Sequence, residues 1–574
     1  MNDMQIISHK MGECDSMFRH FKKDKSKKKA ANSNKTGRKA VSEESTVYGD
    51  DSDAGSGGLS RSDTTAVNQG STMSGKGNRS ESARQDSAEP ELTSVNVEEE
   101  LRCNSDIVFR KLYINGRREL PVTMVFVDGV VDKKAVDDYI LKPLIQEDSL
   151  SQCSTTSELI GKIEHGVIYH ASVKIRHSFS ECVDDIIDGS AALIFDADKT
   201  AATFDIKGFR ERGITEPTGE NVIKGAKDSF VENLRTNTAS IRMKMKNVRL
   251  VIEETRIGRQ TSTRIGIVYI KGITNVHIVD ELKKRLGKLD TEAVLTTGII
   301  EEAIVDHKLS PFPQVITTER PDKFCSCIVE GRVGILVDGL PVTIIIPGTF
   351  EAFLQAPEDY SQSFIVNSII RFLRYTLMFV TLFLPGFYIS VSTFHIEMIP
   401  TDLALAITAS KEGVPFLTFM EVIFMLLAFE VLVEAGLRLP KNIGQAVSVV
   451  GAVVVGQAAA EARLVSPAVV VTIAVTAISS FTMPNQDFSN ALRLWRFIFA
   501  IFSSIIGLYG LSIGAIILLH HLANIEVFGV PYLTPFVGGD GKNMQDAVFR
   551  FPFSAQRKRP TSLRTTNKKR RGSV

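Results

Sequence analysis

Five apolar runs crowd the C-terminal half of the chain, at 375–392, 414–433, 443–460, 465–483 and 494–522. Each approaches or exceeds the roughly 20 residues that an α-helix needs to cross about 30 Å of hydrocarbon. A soluble bundle would have to hide all of them behind almost no polar covering. The pattern predicts a polytopic α-helical transmembrane domain over 372–537, followed by a basic cytoplasmic tail over 538–574. Lys and Arg total 67 against 66 Asp and Glu, so a net charge of +1 offers no general attraction to nucleic acid.

The preceding residues read differently. Positions 1–100 hold few aliphatics and carry an early basic run, Lys22, Lys23, Lys25, Lys27, Lys28 and Lys29, followed by Ser, Gly, Asp and Glu in no period. Such a segment cannot bury enough apolar surface to offset its ordering entropy, and a disordered head is expected. Its lysines read as a solvated tail or as a contact for anionic headgroups; with no aromatic residue among them they do not suggest nucleic-acid binding. The first 30 residues contain no apolar h-region, so no cleavable secretion signal is expected.

Residues 101–371 alternate short β-like runs with helical stretches, which predicts an α/β or α+β cytoplasmic domain. Strands are expected at 122–127, 167–175, 191–195, 264–270, 333–337 and 342–346, and helices at 133–145, 228–248 and 276–286. An internal similarity divides the region. Val125 to Gly129 (VFVDG) followed by Val136, Asp137 and Asp138 matches Val268 to Gly272 (VYIKG) followed by Val279, Asp280 and Glu281. Each copy is an apolar strand, a glycine able to turn with positive φ, and a helix, so two similar subdomains are expected at about 101–215 and 216–371. Asp338-Gly339, between two further β-like runs, reads as a hairpin turn.

Charge placement puts the loop with Glu397, Asp402 and Glu412 outside, and the loops with Arg438, Lys441 and Arg493 inside. Five crossings would then leave the tail outside, although Arg550, Arg557, Lys558, Arg559, Arg564, Lys568, Lys569, Arg570 and Arg571 mark it as cytoplasmic. An even number of crossings is therefore expected, with one segment re-entrant or 396–410 inserted as a short extra one.

Ionisable residues inside a membrane are costly and face a bundle interior or a wet path. In the second run, Glu430, Glu434 and Arg438 share one helical face over roughly 12 Å, while Glu421 points nearly opposite. They form an ion path or gate, or else structural ion pairs between helices. In the third run Gly444, Ser448, Ala452, Gly456 and Ala460 recur at every fourth position, a seam along which helix backbones approach closely. No catalytic motif, metal-ligand spacing or cofactor fingerprint is present, and an enzyme is not expected. Six cysteines without a C-x-x-C pair read as reduced thiols.

Several blocks are similar to the A-subunit family of the nutrient germinant receptors of bacterial endospores. They include Asp228 to Asn237 (DSFVENLRTN), Pro311 to Pro313 (PFP), Thr318, Glu319, Arg320, Pro321 and Asp322 (TERPD), Glu434 to Pro440 (EAGLRLP) and Phe528 to Pro535 (FGVPYLTP). The resemblance spans about 105–537; Gly225-Ala226-Lys227 departs from the family's usual Gly-Pro-Arg turn. It implies a subunit of the spore inner membrane that works with separate B and C subunits, with the nutrient held mainly by B. It further implies a homo-oligomer that forms a cation-conducting channel; a non-conducting scaffold and a secondary transporter are the alternatives. Thr318 to Asp322 are expected to couple the soluble and membrane parts.

Overall fold

The computed structural model describes residues 89–570 except 115–120, 147–149, 151–152, 154, 167–171, 209–216, 218–219, 221, 223, 439–455 and 538–545. The folded region starts upstream of residue 101. Helix α1 (Ser94–Leu101) begins at Thr93, whose side chain accepts from the Asn96 amide, and buries Val97 and Leu101.

The first sheet contains β1 (Ile107–Tyr113), β2 (Pro121–Val127), β3 (Val173–Arg176), β4 (Ala191–Phe195) and β5 (Thr200–Phe204), in the spatial order β1-β2-β4-β5-β3. The second contains β6 (Leu250–Ile257), β7 (Thr263–Ile270), β8 (Ile316–Thr318), β9 (Val333–Val337) and β10 (Thr343–Ile346), ordered β6-β7-β9-β10-β8. The two orders are identical when five strands are subtracted, so the repeated strand-glycine-helix unit marks a duplicated fold. Gly129 and Gly272 take φ of +90° and +82° at matching turns. Each then leads into a helix: α2, which runs through Lys133–Ala135, a π-helical turn Val136–Leu141 and Lys142–Gln146, in the first copy, and a later helix, Val276–Lys288, in the second. Every strand pairing is antiparallel, which makes the fold α+β rather than α/β.

Strand period decides which core each side chain enters. In β2, Val122, Met124 and Phe126 meet α2 and α3 (Thr156–Glu164), while Val125 and Val127 meet α1 and α4 (Phe179–Ile187). Helices thus cover both faces. In the second copy α5 (Leu234–Lys244) is shorter than the expected 228–248, because Asn233 caps it by accepting from the Thr236 amide. Residues before it are extended, with the Phe230 amide on the Glu319 carbonyl at 2.7 Å. Ile265, Ile267 and Tyr269 of β7 face α6 (Val276–Lys288) and α7 (Thr297–Ile304). Val268 and Ile270 face α5 and α8 (Pro321–Glu330), in a core that continues into the apolar helices beyond. The hairpin at Asp338-Gly339 is present, with Gly339 at φ +89°.

After α9 (Phe350–Leu354) come α10 (Phe364–Thr393), α11 (Thr401–Ser410), α12 (Thr418–Arg438), α13 (Pro467–Ser480), α14 (Gln486–Ile506) and α15 (Leu508–Asn524). Two of the described helices, α10 and α14, are long and apolar enough to cross a bilayer; α13 and α15 are apolar but shorter. This differs from five uniform spans for definite reasons. Three glutamates interrupt α12, and most of the run 443–460 lies outside the described residues. The run 494–522 is broken at Gly507, whose φ of +62° and ψ of −135° turn the chain back on itself. Gly510 and Gly514 let the returning helix touch: a Cβ at Gly510 would sit 2.0 Å from the Phe502 carbonyl oxygen, and one at Gly514 2.9 Å from the Phe499 ring. The Trp495 and His521 rings lie 5.8 Å apart, so α14 and α15 form an antiparallel hairpin.

Cys153, Cys182, Cys325 and Cys327 carry free thiols, and burial pushes those of Cys182 and Cys325 up to about 12, which leaves them inert.

The copies are joined by one fully buried ion pair. Arg242 of α5 donates from Nε and Nη2 to Asp106 at 2.8 Å each, from Nη2 to Asn104 at 2.7 Å and from Nη1 to the Leu250 carbonyl at 3.1 Å. Asp106→Ala would strand a buried guanidinium and should cost about 3–5 kcal/mol, whereas Asp106→Asn keeps part of the hydrogen bonding. Thermal unfolding of the purified chain checks this; equal melting of wild type and Asp106→Ala would refute it.

Candidate functional site

Glu430 of α12 meets the adjacent helix rather than Arg438. Its carboxylate accepts from Arg493 Nη1 at 3.0 Å and from Arg496 Nη2, both on α14. The Arg496 side chain is fully buried, near the rings of Phe429 and Phe497, while Glu430 keeps 28% of its side-chain exposure. Arg493 is not a loop residue, as charge counting suggested, but a member of α14 that also reaches Asn490. Two arginines three positions apart inside an apolar helix were the signal for this group, and the sequence reading passed over their pairing with Glu430.

Glu421 lies at the other end of α12, 1% exposed. One oxygen accepts from the Ser466 amide at the start of α13 at 2.7 Å; the other has no hydrogen-bond partner among the described residues. Since Glu421 neighbours Ser466 and Phe429 stacks edge-on with Phe481 at 6.0 Å, α12 and α13 run parallel. Glu434 sits further along α12, and the Arg438 side chain lies outside the described residues. Of the seam, Gly444, Ser448 and Ala452 also lie outside them. Gly456 is described and faces α13, where a Cβ would lie 3.2 Å from Val470; Ala460 is half-buried one turn on. At this end the close contact is therefore made within the same chain.

Thr318, Glu319, Arg320, Pro321 and Asp322 hold the connection between the two copies. Arg320 donates to Asp322 at 3.0 and 2.6 Å, to the Glu220 carbonyl at 3.2 Å and to the Ala226 carbonyl at 2.9 Å. Thr318 bonds Glu220, which Lys323 also pairs at 2.6 Å. Pro321 opens α8. Gly225, held beside Arg320, passes Ser361 just before α10, with 3.7 Å from its notional Cβ to the Ser361 hydroxyl.

The joint between sheets and helices is built from residues that sequence reasoning did not single out. Asp359, 2% exposed, accepts from Arg371 Nε at 3.1 Å and from Arg374 at 3.0 and 3.1 Å, both on the first turns of α10. Arg371 also grips the returning tail through Asp546, at 2.9 Å to the carboxylate and 2.6 Å to the carbonyl. Tyr360 donates to Asp546 at 2.9 Å, and Arg550 donates to the carbonyls of Asp359 and Gln362 at 2.7 and 2.9 Å. Beside this network Phe312, Phe350 and Phe353 of the sheet domain pack on Phe488 and Trp495 of α14, with Phe353 stacked on Phe488 at 6.0 Å. Arginines at the mouth of an apolar run were legible; their acidic partners, a short step before and about 175 residues after, were not.

Burial pushes the Glu351 carboxyl up to about 8 against the opposing pull of Arg332, with Glu330 and Asp546 adding to the rise. Glu301 on α7 is likewise raised to about 7, by burial and then by Asp487 at the start of α14. Among the described residues no group of three or more His, Cys, Asp or Glu could hold a metal ion.

The second sheet copy shares a core with apolar helices beside a buried ionic joint, an arrangement consistent with a membrane protein. The chain matches the family described as Bacillus/Clostridium GerA spore germination protein over residues 95–562, and it belongs to the GerA family of bacterial spore germinant receptor proteins. Members of that family are receptor components. It is 37% identical to spore germination protein KA of Bacillus subtilis over 83% of this chain and 87% of that one. It is 36% identical to spore germination protein B1 of the same organism, over 80% and 94%. Among solved structures, the N-terminal domain of the A subunit of the Bacillus megaterium spore germinant receptor GerK3 is 30% identical, covering 46% of this chain and 99% of that one, at a TM-score of 0.37.

The raised Glu351 carboxyl fixes a pH dependence. Between its ordinary 4.5 and about 8 the unfolded chain has lost this proton while the folded chain keeps it, so stability falls as pH rises and levels off above about 8. Glu351→Gln should remove that component, leaving a variant whose melting temperature declines less than wild type between pH 5 and pH 8. Parallel melting curves for the two proteins across that window would refute the assignment.

Proposed function

We propose that this chain is the A-type subunit of a spore germinant receptor, a multi-pass protein of the spore inner membrane that couples nutrient sensing to germination by oligomerising into a cation-conducting channel. It works with B and C subunits, and B holds the nutrient. Helix directions support an even number of passes: α12 and α13 run parallel, and α14 and α15 form an antiparallel pair. The hairpin at Gly507 supplies the even number that the basic tail requires. His521 near the end of α15 bonds Ser310 of the sheet domain at 2.9 Å, and the Thr566 amide bonds the Ile273 carbonyl at 3.0 Å, which supports a tail on the same side as the sheets.

The observation that carries the channel reading is Glu430 held between Arg493 and Arg496. Two guanidiniums outweigh one carboxylate, and excess positive charge on a bundle helix repels cations. We read this arrangement as a closed gate, in which Glu430 and Glu434 line the path once the arginines withdraw. Glu421, dry and bonded to the α13 amide, supports the helix pair instead. The described end of the seam, at Gly456, packs against Val470 of α13 in the same chain. Thr318 to Asp322 couple the two sheet copies to the Ser361 turn and so to α10. The scaffold reading draws on a separate observation, the aromatic core around Phe353 and Phe488, which would pass a signal to partners without any conduction.

The test is K⁺ efflux from proteoliposomes carrying the receptor with its B and C subunits. Arg493→Gln should leak without nutrient, and Glu430→Gln should conduct at least about tenfold less on stimulation, a loss of roughly 1.4 kcal/mol in passage. Normal flux in both variants at normal protein level would remove this group from the mechanism, and no flux from wild type would favour the scaffold.

A further inference from the structure

The tail does more than report its side of the membrane. Residues 549–553 run along the foot of α10, fixed by Ser368, whose hydroxyl donates to the Arg550 carbonyl at 2.9 Å and accepts from its amide at 3.1 Å. Arg550 turns inward, 5% exposed, onto the Asp359 and Gln362 carbonyls. Phe549 and Phe551 turn outward, at 50% and 43% exposure, while Phe553, 48% exposed, lies against the Arg550 guanidinium at 5.0 Å. Phe549 stacks on Phe372 of α10 at 5.8 Å, and Phe372 belongs to an outward apolar face with Ile365 and Ile369, 59% and 65% exposed. The aromatic row is therefore continuous with the side of a helix that enters the bilayer. Immediately after it, Arg557 and Lys558 are exposed, and the tail folds back on the second sheet copy, where Arg559 donates to the Val329 carbonyl at 3.0 Å.

We propose that this segment is an interfacial anchor that binds anionic phospholipid of the leaflet facing the sheets, an inference that rests on the multi-pass reading above. Helix α10 has 30 residues, about 45 Å at 1.5 Å per residue, and so extends well beyond about 30 Å of hydrocarbon. Its first turns and the tail pinned to them lie at headgroup depth. Aromatic side chains backed by arginine and lysine are the chemistry that such a boundary selects: the rings enter the acyl edge and the cations meet phosphate. The fixed inner side, held by Arg550, orients the rings before any lipid arrives, so binding orders little new chain.

The full-length chain carries a single tryptophan, Trp495, which is buried, so an indole placed in the tail is readable by difference from the parent protein. Phe551→Trp protein would be reconstituted into phosphatidylglycerol vesicles with acyl chains brominated near the headgroup. The added indole should be blue-shifted and roughly two-fold dimmer than in unbrominated vesicles, and the quenching should weaken in phosphatidylcholine or in about 1 M salt. Protein that co-floats with vesicles but shows a water-like, unquenched added emission overturns the anchor, leaving solvent, a partner subunit or a second copy over the rings. Equal quenching in both lipids at both salts overturns the recognition of headgroup charge. Failure to co-float defeats the membrane reading itself.

Discussion

Two buried arginines at the start of a long apolar helix can exist only if something pays back their lost hydration, and here that something is Asp359. Desolvating a guanidinium costs several kcal/mol, and a carboxylate at 3 Å with added hydrogen bonds offsets it. The geometry leaves little freedom. Asp359 sits in a single 3₁₀ turn, Pro357–Tyr360, between the second sheet copy and α10, so meeting both arginines fixes where the sheets end and the helices begin. Asp546 brings the far end of the chain to the same point. The joint is consequently a three-way crossing of sheet domain, first helix and tail, whose charges each compensate another element's.

Around this crossing the apolar packing is shared. The face of the second sheet bearing Val268, Ile270, Leu336 and Ile345 belongs to the same buried cluster as Trp495, Leu518 and Leu522 on the hairpin helices. The first sheet has cores of its own and meets the second copy through the Arg242–Asp106 pair. A displacement of the second copy would therefore be felt directly by α14, the helix that carries Arg493 and Arg496. Movement of the first would reach it through that ion pair and the polar contacts around it, such as Arg235 with Asp128 and the Ser105 amide on the Ile252 carbonyl. This division gives the two copies unequal parts despite their common topology.

Local rules made much of the fold legible. The two glycine turns, the strands at β2, β4, β7 and β9 and the helices after Gly129 and Gly272 follow from period and turn chemistry, and their similarity exposed the duplication before any coordinates. Strands such as β1 and β6 were missed because Arg110, Lys111, Glu253 and Glu254 interrupt their apolar pattern, and each is a strand only because β2 or β7 offers its edge. The apolar runs were read correctly as composition and wrongly as uniform units: Gly507, Gly510 and Gly514 stand in plain view, but only contact between the two halves shows that they make a turn. For the candidate site, spacing located Glu421 and Glu430 without their partners. Arg496 is 66 positions from Glu430, and Asp546 is 175 from Arg371; pairings at that separation are set by tertiary packing, which no window of sequence contains.

The one-residue turn at Gly507 also bears on how such a chain is made. On the multi-pass reading, a connection this short presents almost no polar load to be carried through the bilayer, so α14 and α15 can enter together as a folded pair. The densely cationic stretch that follows then stays in the compartment where the ribosome delivers it. Biogenesis of the last two spans would need no export of charge at all.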